Sequence, residues 1–225
     1  MDKSENQNRT LKKPWPTKDA MEQVYKLKLW GDNESDFYSG LGSHHPKIII
    51  PYLVVVKSFL NSFENPITVC DLGCGDFNIG KELVNLTHKY IGADIVASLI
   101  DHNKKTFTAK NLEFQCLDIS KDDLPKADCI ILKQVLQHLS NAEVQKIVKK
   151  LANYKYIILT EHIPKGKFEP NKDIISGQGI RLKKQSGINL LASPFNFKVK
   201  EQKELLSVEL DEFDGEIVTV LYEVF

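Results

Sequence analysis

The chain lacks a surplus of charge of either sign. Thirty basic and 30 acidic residues leave a formal net charge of +0 over 225 residues. Proteins that hold nucleic acid mainly through its phosphates carry a basic surplus or a basic face, so bulk nucleic-acid binding is not expected. Arginine is nearly missing: Arg9 and Arg181 stand alone among lysines, which draws attention to Arg181. Long apolar runs are missing too. The longest, Ile48 to Val56, falls well short of the ~20 residues that a membrane helix needs. The first twenty residues are polar and hold no signal-peptide core, so a cytoplasmic location without a membrane partner is expected. Cysteines Cys70, Cys74, Cys116 and Cys129 form no CxxC pair, and no Cys/His set has zinc-ligand spacing. Free thiols in a reducing compartment and no metal follow as expectations.

What is present is an alternation of strand and helix patterns. Met21, Val24 and Leu27 share one helical face between Lys18 and Trp30. Ile48, Tyr52, Val55 and Phe59 fall at i, i+4, i+7 and i+11 and predict a second helix, with Pro51 tolerable only near its first turn. Strands are expected at Ile67–Leu72, Tyr90–Val96, Leu112–Leu117, Asp128–Leu132 and Tyr156–Thr160. Helices are expected between them. One is marked by Ile79, Leu83, Leu86 and Tyr90, one by Val96, Ile100 and Phe107, and one by Val144, Ile147, Val148 and Leu151 behind a Ser140–Glu143 capping box. This alternation predicts a parallel sheet with helices on both faces. The runs Glu204–Leu210 and Glu216–Phe225, joined through Asp214-Gly215, predict an antiparallel C-terminal hairpin.

The stretch VCDLGCGDFNIG, Val69 to Gly80, interrupts this pattern where the first strand meets its helix. Ligands of open α/β sheets sit at the carboxyl ends of the strands. Gly73 and Gly75 let the backbone turn sharply and approach a ligand closely. A dinucleotide fingerprint requires a third glycine where this chain has Asn78, and Asp71 would repel a pyrophosphate. A dinucleotide oxidoreductase therefore ranks last. An acid suits a ligand with positive groups, such as S-adenosylmethionine (SAM), which carries an ammonium and a sulfonium. Asp94 and Asp118 end the next two strands. They suit ribose hydroxyls and the adenine amino group.

Together DLGCGDF, GADIV, LDIS and LKQVLQHLSN resemble the ordered motifs of class I SAM-dependent methyltransferases, over about Ile67 to Pro164. The resemblance implies an α/β, Rossmann-like, doubly wound seven-stranded sheet, mostly parallel, whose last strand inserts antiparallel. It implies SAM as cofactor. Asp71, Gly73 and Gly75 would surround its methionine part, Asp94 with Ile95 its ribose, and Leu117, Asp118 and Ile119 its adenine. Lys133 and Gln134 would border the transferable methyl. The expected organisation is a disordered tail over 1–16, a helical lid over 17–62, and a SAM-binding domain over 63–225 with an acceptor-pocket insert at about 165–193. WGDNESDFYSGLGSHH and NLLASPFNF carry a more distant likeness to stand-alone methyltransferases of bacterial surface-polysaccharide and small-metabolite pathways.

Methyl transfer from a sulfonium is an in-line displacement, so positioning and exclusion of water supply much of the rate. Candidate bases are His138, after the fourth strand, and Glu161 with His162, after the fifth. Against a base stands a packing or capping role for His138 and a strand-end salt bridge for the other two. Tyr38, Ser43 and His44 lie in a glycine-rich segment suited to a lid over cofactor and acceptor. Trp30 and Phe37 read as core anchors. Between Lys165 and Leu191 the lysines read as a solvated face. Arg181 among them offers the planar donor that suits phosphate or carboxylate. The favoured reading is O-methylation of a small anionic acceptor, a phosphorylated metabolite or a sugar or polysaccharide precursor. The alternatives are an RNA- or protein-directed methyltransferase and a non-catalytic SAM-binding module. The missing N/D-PP-Y/F signature after the fourth strand, which reads LKQVLQ, speaks against methylation of nucleobase amino groups.

Overall fold

A computed structural model describes residues 14–32, 37–211 and 214–225. Most of the expected disordered tail, residues 1–13, lies outside them, as do residues 33–36 of the expected lid. In chain order the elements are α1 (Thr17–Lys26), α2 (Pro46–Leu60), β1 (Thr68–Leu72), β2 (Lys89–Asp94), α3 (Ala97–Thr106), β3 (Leu112–Cys116), β4 (Cys129–Lys133), α4 (Asn141–Leu151), β5 (Tyr156–Ile163), β6 (Glu201–Val208) and β7 (Glu216–Glu223). The seven strands form one sheet in the order β3-β2-β1-β4-β5-β7-β6. The first five are parallel, and β7 enters antiparallel between β5 and β6. The chain moves outward from β1 to β3 and then returns to β4 on the other side of β1. That reversal opens a crevice at the carboxyl ends of β1 and β4.

Side chains of a strand alternate between faces, and here the alternation sorts the core into two layers. Cys70 and Leu72 pack with Ile130 and Leu132 beneath Val144, Ile147 and Leu151 of α4. Val69, Tyr90, Ile131 and Ile158 pack on the opposite face with Tyr52, Val56 and Leu60 of α2. One of the two helices of the expected lid, α2, is therefore a core layer. Pro46 starts this helix, and Pro51 sits inside it. Cys70, Cys74 and Cys129 are buried free thiols, whereas Cys116 is exposed.

Several local expectations are corrected. The helix expected around Ile79–Tyr90 is a pair of 3-10 turns, Gly80–Glu82 and Val84–Leu86. Its apolar residues still bury, with Leu83 and Phe77 both fully enclosed. Phe77 takes a left-handed backbone, φ 62°, and its ring presses on the bare α-carbon of Gly80. A Cβ there would lie 2.3 Å from the ring. The Thr87 hydroxyl also donates back to the Val84 carbonyl, closing the second turn. β5 runs three residues further than expected, so Glu161 and His162 are strand residues paired with Val218 and Ile217. The Ser140–Glu143 box does not close. Ser140 makes no side-chain cap, and its hydroxyl donates to the Glu143 carboxylate instead. The hairpin begins earlier than expected, at Glu201, and β7 lies inside the sheet with β6 at its edge.

The Phe77–Gly80 contact sets a test. Gly80→Ala is expected to destabilise the fold by about 1–3 kcal/mol, as overpacking of a filled core does. Urea denaturation reads this. A shift below about 0.5 kcal/mol, the level of an ordinary surface substitution, would mean that the ring is not confined.

Candidate functional site

A cleft of about 420 Å³ opens at the carboxyl ends of β1, β2 and β4. Its volume lies within the ~300–1,000 Å³ of small-molecule sites. The glycine loop forms its floor. Gly73 and Gly75 have φ of 82° and 55°. The Gly73 and Cys74 amides both donate to the Ala93 carbonyl, at 2.7 and 3.0 Å. The Gly75 amide donates to Asp94 Oδ2 at 3.2 Å, and the Gly75 carbonyl accepts from Asn103 Nδ2 at 2.7 Å. Asn103 is fully buried on α3. The loop is thus stitched to the end of β2.

Of the residues expected to hold cofactor, Gly73, Gly75, Asp94, Ile95, Leu117, Asp118, Ile119, Lys133 and Gln134 all border this cleft. Asp94 is buried, and its other oxygen accepts from the Val96 amide at 3.0 Å. Burial raises its pKa against the pull of these amides. Asp118 caps its own turn: Oδ1 accepts from the amide and hydroxyl of Ser120, and Oδ2 from Lys121 at 2.7 Å. Burial pushes its carboxyl up, but these donors outweigh that and hold it below the ordinary value.

Asp71 departs from expectation. It shares a face with Val69, so its carboxylate points toward the α2 side and accepts from the Tyr90 hydroxyl at 2.8 Å. It borders a separate inner cavity of about 20 Å³ rather than the cleft. Burial pushes it up to about 7, with Tyr90 and Lys133 opposing.

The candidate bases separate. His138 borders the cleft, its ring 5.2 Å from that of Trp30. Its Nδ1 is buried without a hydrogen-bond partner. Burial lowers its pKa to about 4, against the backbone of residues 177–179, so the imidazole is neutral near pH 7. Glu161 is not at the cleft. It is buried beneath the Leu136–His138 turn and accepts from the Leu136 and Gln137 amides at 3.0 and 2.9 Å. Burial pushes it up to about 8, with Arg181 the largest opposing influence. His162 also lies away, its Nε2 2.7 Å from the Asp214 carbonyl oxygen. Both corrections follow from the longer β5, which carries these side chains into the sheet.

Arg181 is likewise corrected. It is fully buried, and its guanidinium donates to the Leu136 and Leu139 carbonyls and to Asn141 Oδ1, at 2.8, 2.6 and 2.7 Å. It brackets the loop between β4 and α4 and offers nothing to the cleft. Tyr38 and His44 sit behind the cleft, their rings 4.5 Å apart, with His44 Nε2 2.6 Å from Asp76 Oδ2. Ser43 borders it, together with Ser39, Gly40, Leu41 and Gly42.

Some lining residues escaped the sequence reading. The insert contributes Gln178, Ile180 and Lys183. Glu143, read as a cap, lines the cleft and ties its roof together. It accepts from Thr17 on α1, from Ser140, and from Ser176 of the insert. Three hydroxyl donors, from Thr17, Ser140 and Ser176, around one glutamate are the signal that a pairwise capping pattern hid. Among the described residues no His/Cys/Asp/Glu group is placed to hold a metal ion.

Strand order, inserted antiparallel strand and crevice together define the class I methyltransferase fold. Residues 69–154 match the family model described as a methyltransferase domain. A curated phosphoethanolamine N-methyltransferase from Triticum aestivum is 30% identical over 104 residues, 44% of this chain. The chain spans only 20% of that relative's length. Solved structures agree on the fold. The N-methyltransferase NodS from Bradyrhizobium japonicum, in complex with S-adenosyl-L-homocysteine, superposes with a TM-score of 0.66 at 11% identity, covering 92% of this chain and 99% of that one. Magnesium protoporphyrin IX methyltransferase from Synechocystis, with bound SAM, gives 0.55 at 17% identity, covering 92% and 97%.

Arg181→Ala is expected to cost about 3–5 kcal/mol of stability, because it strips donors from buried oxygens and leaves Glu161 without its nearby cation. Denaturation by urea measures it. A fully stable variant would contradict the bracket.

Proposed function

We propose that the chain transfers a methyl group from SAM to a small acceptor held at the His138 end of the cleft. One observation carries this reading: a buried carboxylate, Asp94, is fixed at the end of β2 in one cleft with a bare glycine loop and the Leu117–Ser120 segment. The residues fit the cofactor. A Cβ on Gly73 would fall 2.4 Å from the Val135 side chain, and one on Gly75 2.4 Å from Ser39 Oγ, so backbone alone can line this floor. Asp94 spends one lone pair per oxygen on amides and keeps others for ribose hydroxyls. Bound SAM supplies an electrophilic methyl on a cationic sulfur.

The chain's own residues supply placement. α1, the Ser39–Ser43 turn and the insert line the cleft and narrow its access to water. That favours a reaction in which charge disperses. Neutral His138 borders the cleft; with Nδ1 buried, Nε2 is the ring nitrogen that can accept a hydrogen bond from an acceptor O–H or N–H and take its proton as the bond to carbon forms. The anionic acceptor expected through Arg181 would instead meet Lys183, which borders the cleft. A roofed cleft of this size suits a metabolite or activated sugar better than a folded macromolecule.

Calorimetry with S-adenosyl-L-homocysteine should show saturable binding to the intact protein. Asp94→Ala should weaken it about 10- to 100-fold, the loss of charged hydrogen bonds. No binding by the unaltered chain would defeat the proposal. His138→Ala should cut turnover about 100-fold or more at unchanged homocysteine-product affinity, in a methyl-transfer screen over phosphorylated metabolites, activated sugars and amines. Near-normal turnover would remove His138 as the base.

A further inference from the structure

The end of β4 carries an unusual pair. Lys133 is mostly buried, yet its ammonium donates only to neutral oxygens: the Gly42 carbonyl at 2.5 Å and Gln134 Oε1 at 3.1 Å. The face of the Tyr52 ring lies 5.5 Å away. Burying an ammonium without a contacting carboxylate is costly, so the arrangement calls for a role. Gln134 takes a left-handed backbone, φ 57°, which a non-glycine residue adopts at a cost of order 1–3 kcal/mol. Its side chain lies flush against Gly42: a Cβ there would fall 1.9 Å from Gln134 Oε1. Strain and buried charge thus converge on one spot, the 3-10 turn Leu41–Ser43 that crosses the cleft.

We propose that Lys133 is a positioning residue that closes the N-terminal lid, holding the Leu41–Ser43 turn over the cleft by donating to the Gly42 carbonyl. The other ties of this segment go to the glycine loop and to α1, where the Tyr25 hydroxyl lies 3.0 Å from Ser39 Oγ. Asp76 Oδ2 accepts from the Ser39 amide at 2.8 Å and lies 2.6 Å from His44 Nε2, Ser39 Oγ accepts from the Asp76 amide at 2.8 Å, and Asn78 Nδ2 donates to the Ser43 carbonyl at 2.7 Å. Lys133 is the tie that crosses from β4, on the far side of the crevice, and it borders both the cleft and the inner cavity beside Asp71. It thus joins this turn to the β4 bank, as the Thr17–Glu143 bond joins α1 to α4. Burial lowers its pKa to about 8, with Asp71, Asp76 and Glu161 pulling it back up, so the ammonium form dominates at pH 7. The consequence for SAM retention rests on the function proposed above; the closure itself does not.

Amide hydrogen exchange at pH 7 on the ligand-free chain tests it. Lys133→Met should speed exchange of the Leu41–His44 amides about 10- to 100-fold, the range for losing a charged hydrogen bond, with β1 and β4 protected as before. Unchanged exchange at Leu41–His44 overturns the proposal, and so does a rise spread evenly over all strands in a folded variant. Should Lys133→Met fail to fold, Lys133→Gln decides, since it keeps a polar side chain but removes the ammonium that reaches the Gly42 carbonyl: local release supports the latch and retained protection overturns it. S-adenosyl-L-homocysteine should dissociate about 10-fold faster from either variant than from the unaltered chain. If the unaltered chain binds none, the proposed function falls, and the exchange data still decide the latch.

Discussion

One carbonyl organises the site. The Ala93 oxygen accepts the amides of both Gly73 and Cys74, so the loop after β1 is pinned to the end of β2 before any ligand is considered. Two further bonds, from Gly75 to Asp94 and from Asn103 to Gly75, extend the seam. Each uses a buried polar group that would cost ~1–3 kcal/mol if left unmade. The loop's shape therefore comes from satisfied backbone groups, and the glycines permit the positive φ that this shape demands.

The same demand explains why the acids of the carboxyl edge differ in fate. Asp94 holds the seam and still faces the cleft. Asp118 stabilises its own turn, on the rim. Asp71, one residue out of phase with Leu72, is turned by strand parity into the α2 layer and pairs with Tyr90. Glu161 is turned inward by the extended β5 and holds the Leu136–His138 turn by its amides. That clamp and the Arg181 bracket hold the same loop, and they set where His138 stands at the cleft. Electrostatic residues that look like chemistry in one dimension are here largely scaffolding for one histidine.

The parallel strands, α3, α4 and the glycine loop were legible because each follows from a short-range rule: apolar runs, helical spacing, a strand ending in glycines. The nine residues expected at the cofactor that border the cleft could be placed there because motif order tracks strand order. What escaped depends on distance in sequence. Arg181 stands out by rarity, yet its partners lie about forty residues earlier in a loop that only folding brings near. The turns at Gly80–Leu86 break helical spacing because a phenylalanine ring occupies the space above a glycine, which periodicity cannot register. The length of β5 is decided by pairing with β7, more than fifty residues on.

That pairing also bears on the order in which the chain assembles. β7 lies between β5 and β6, so the charged strand β6 has no neighbour in the sheet until β7 is made, and β5 keeps a bare apolar edge until then. A nascent chain can complete β3-β2-β1-β4-β5 while its last strand is still being synthesised, leaving Ile157, Ile158 and Leu159 on an open edge prone to pairing with other chains. Cover for that edge comes only from β7, which no earlier strand can replace.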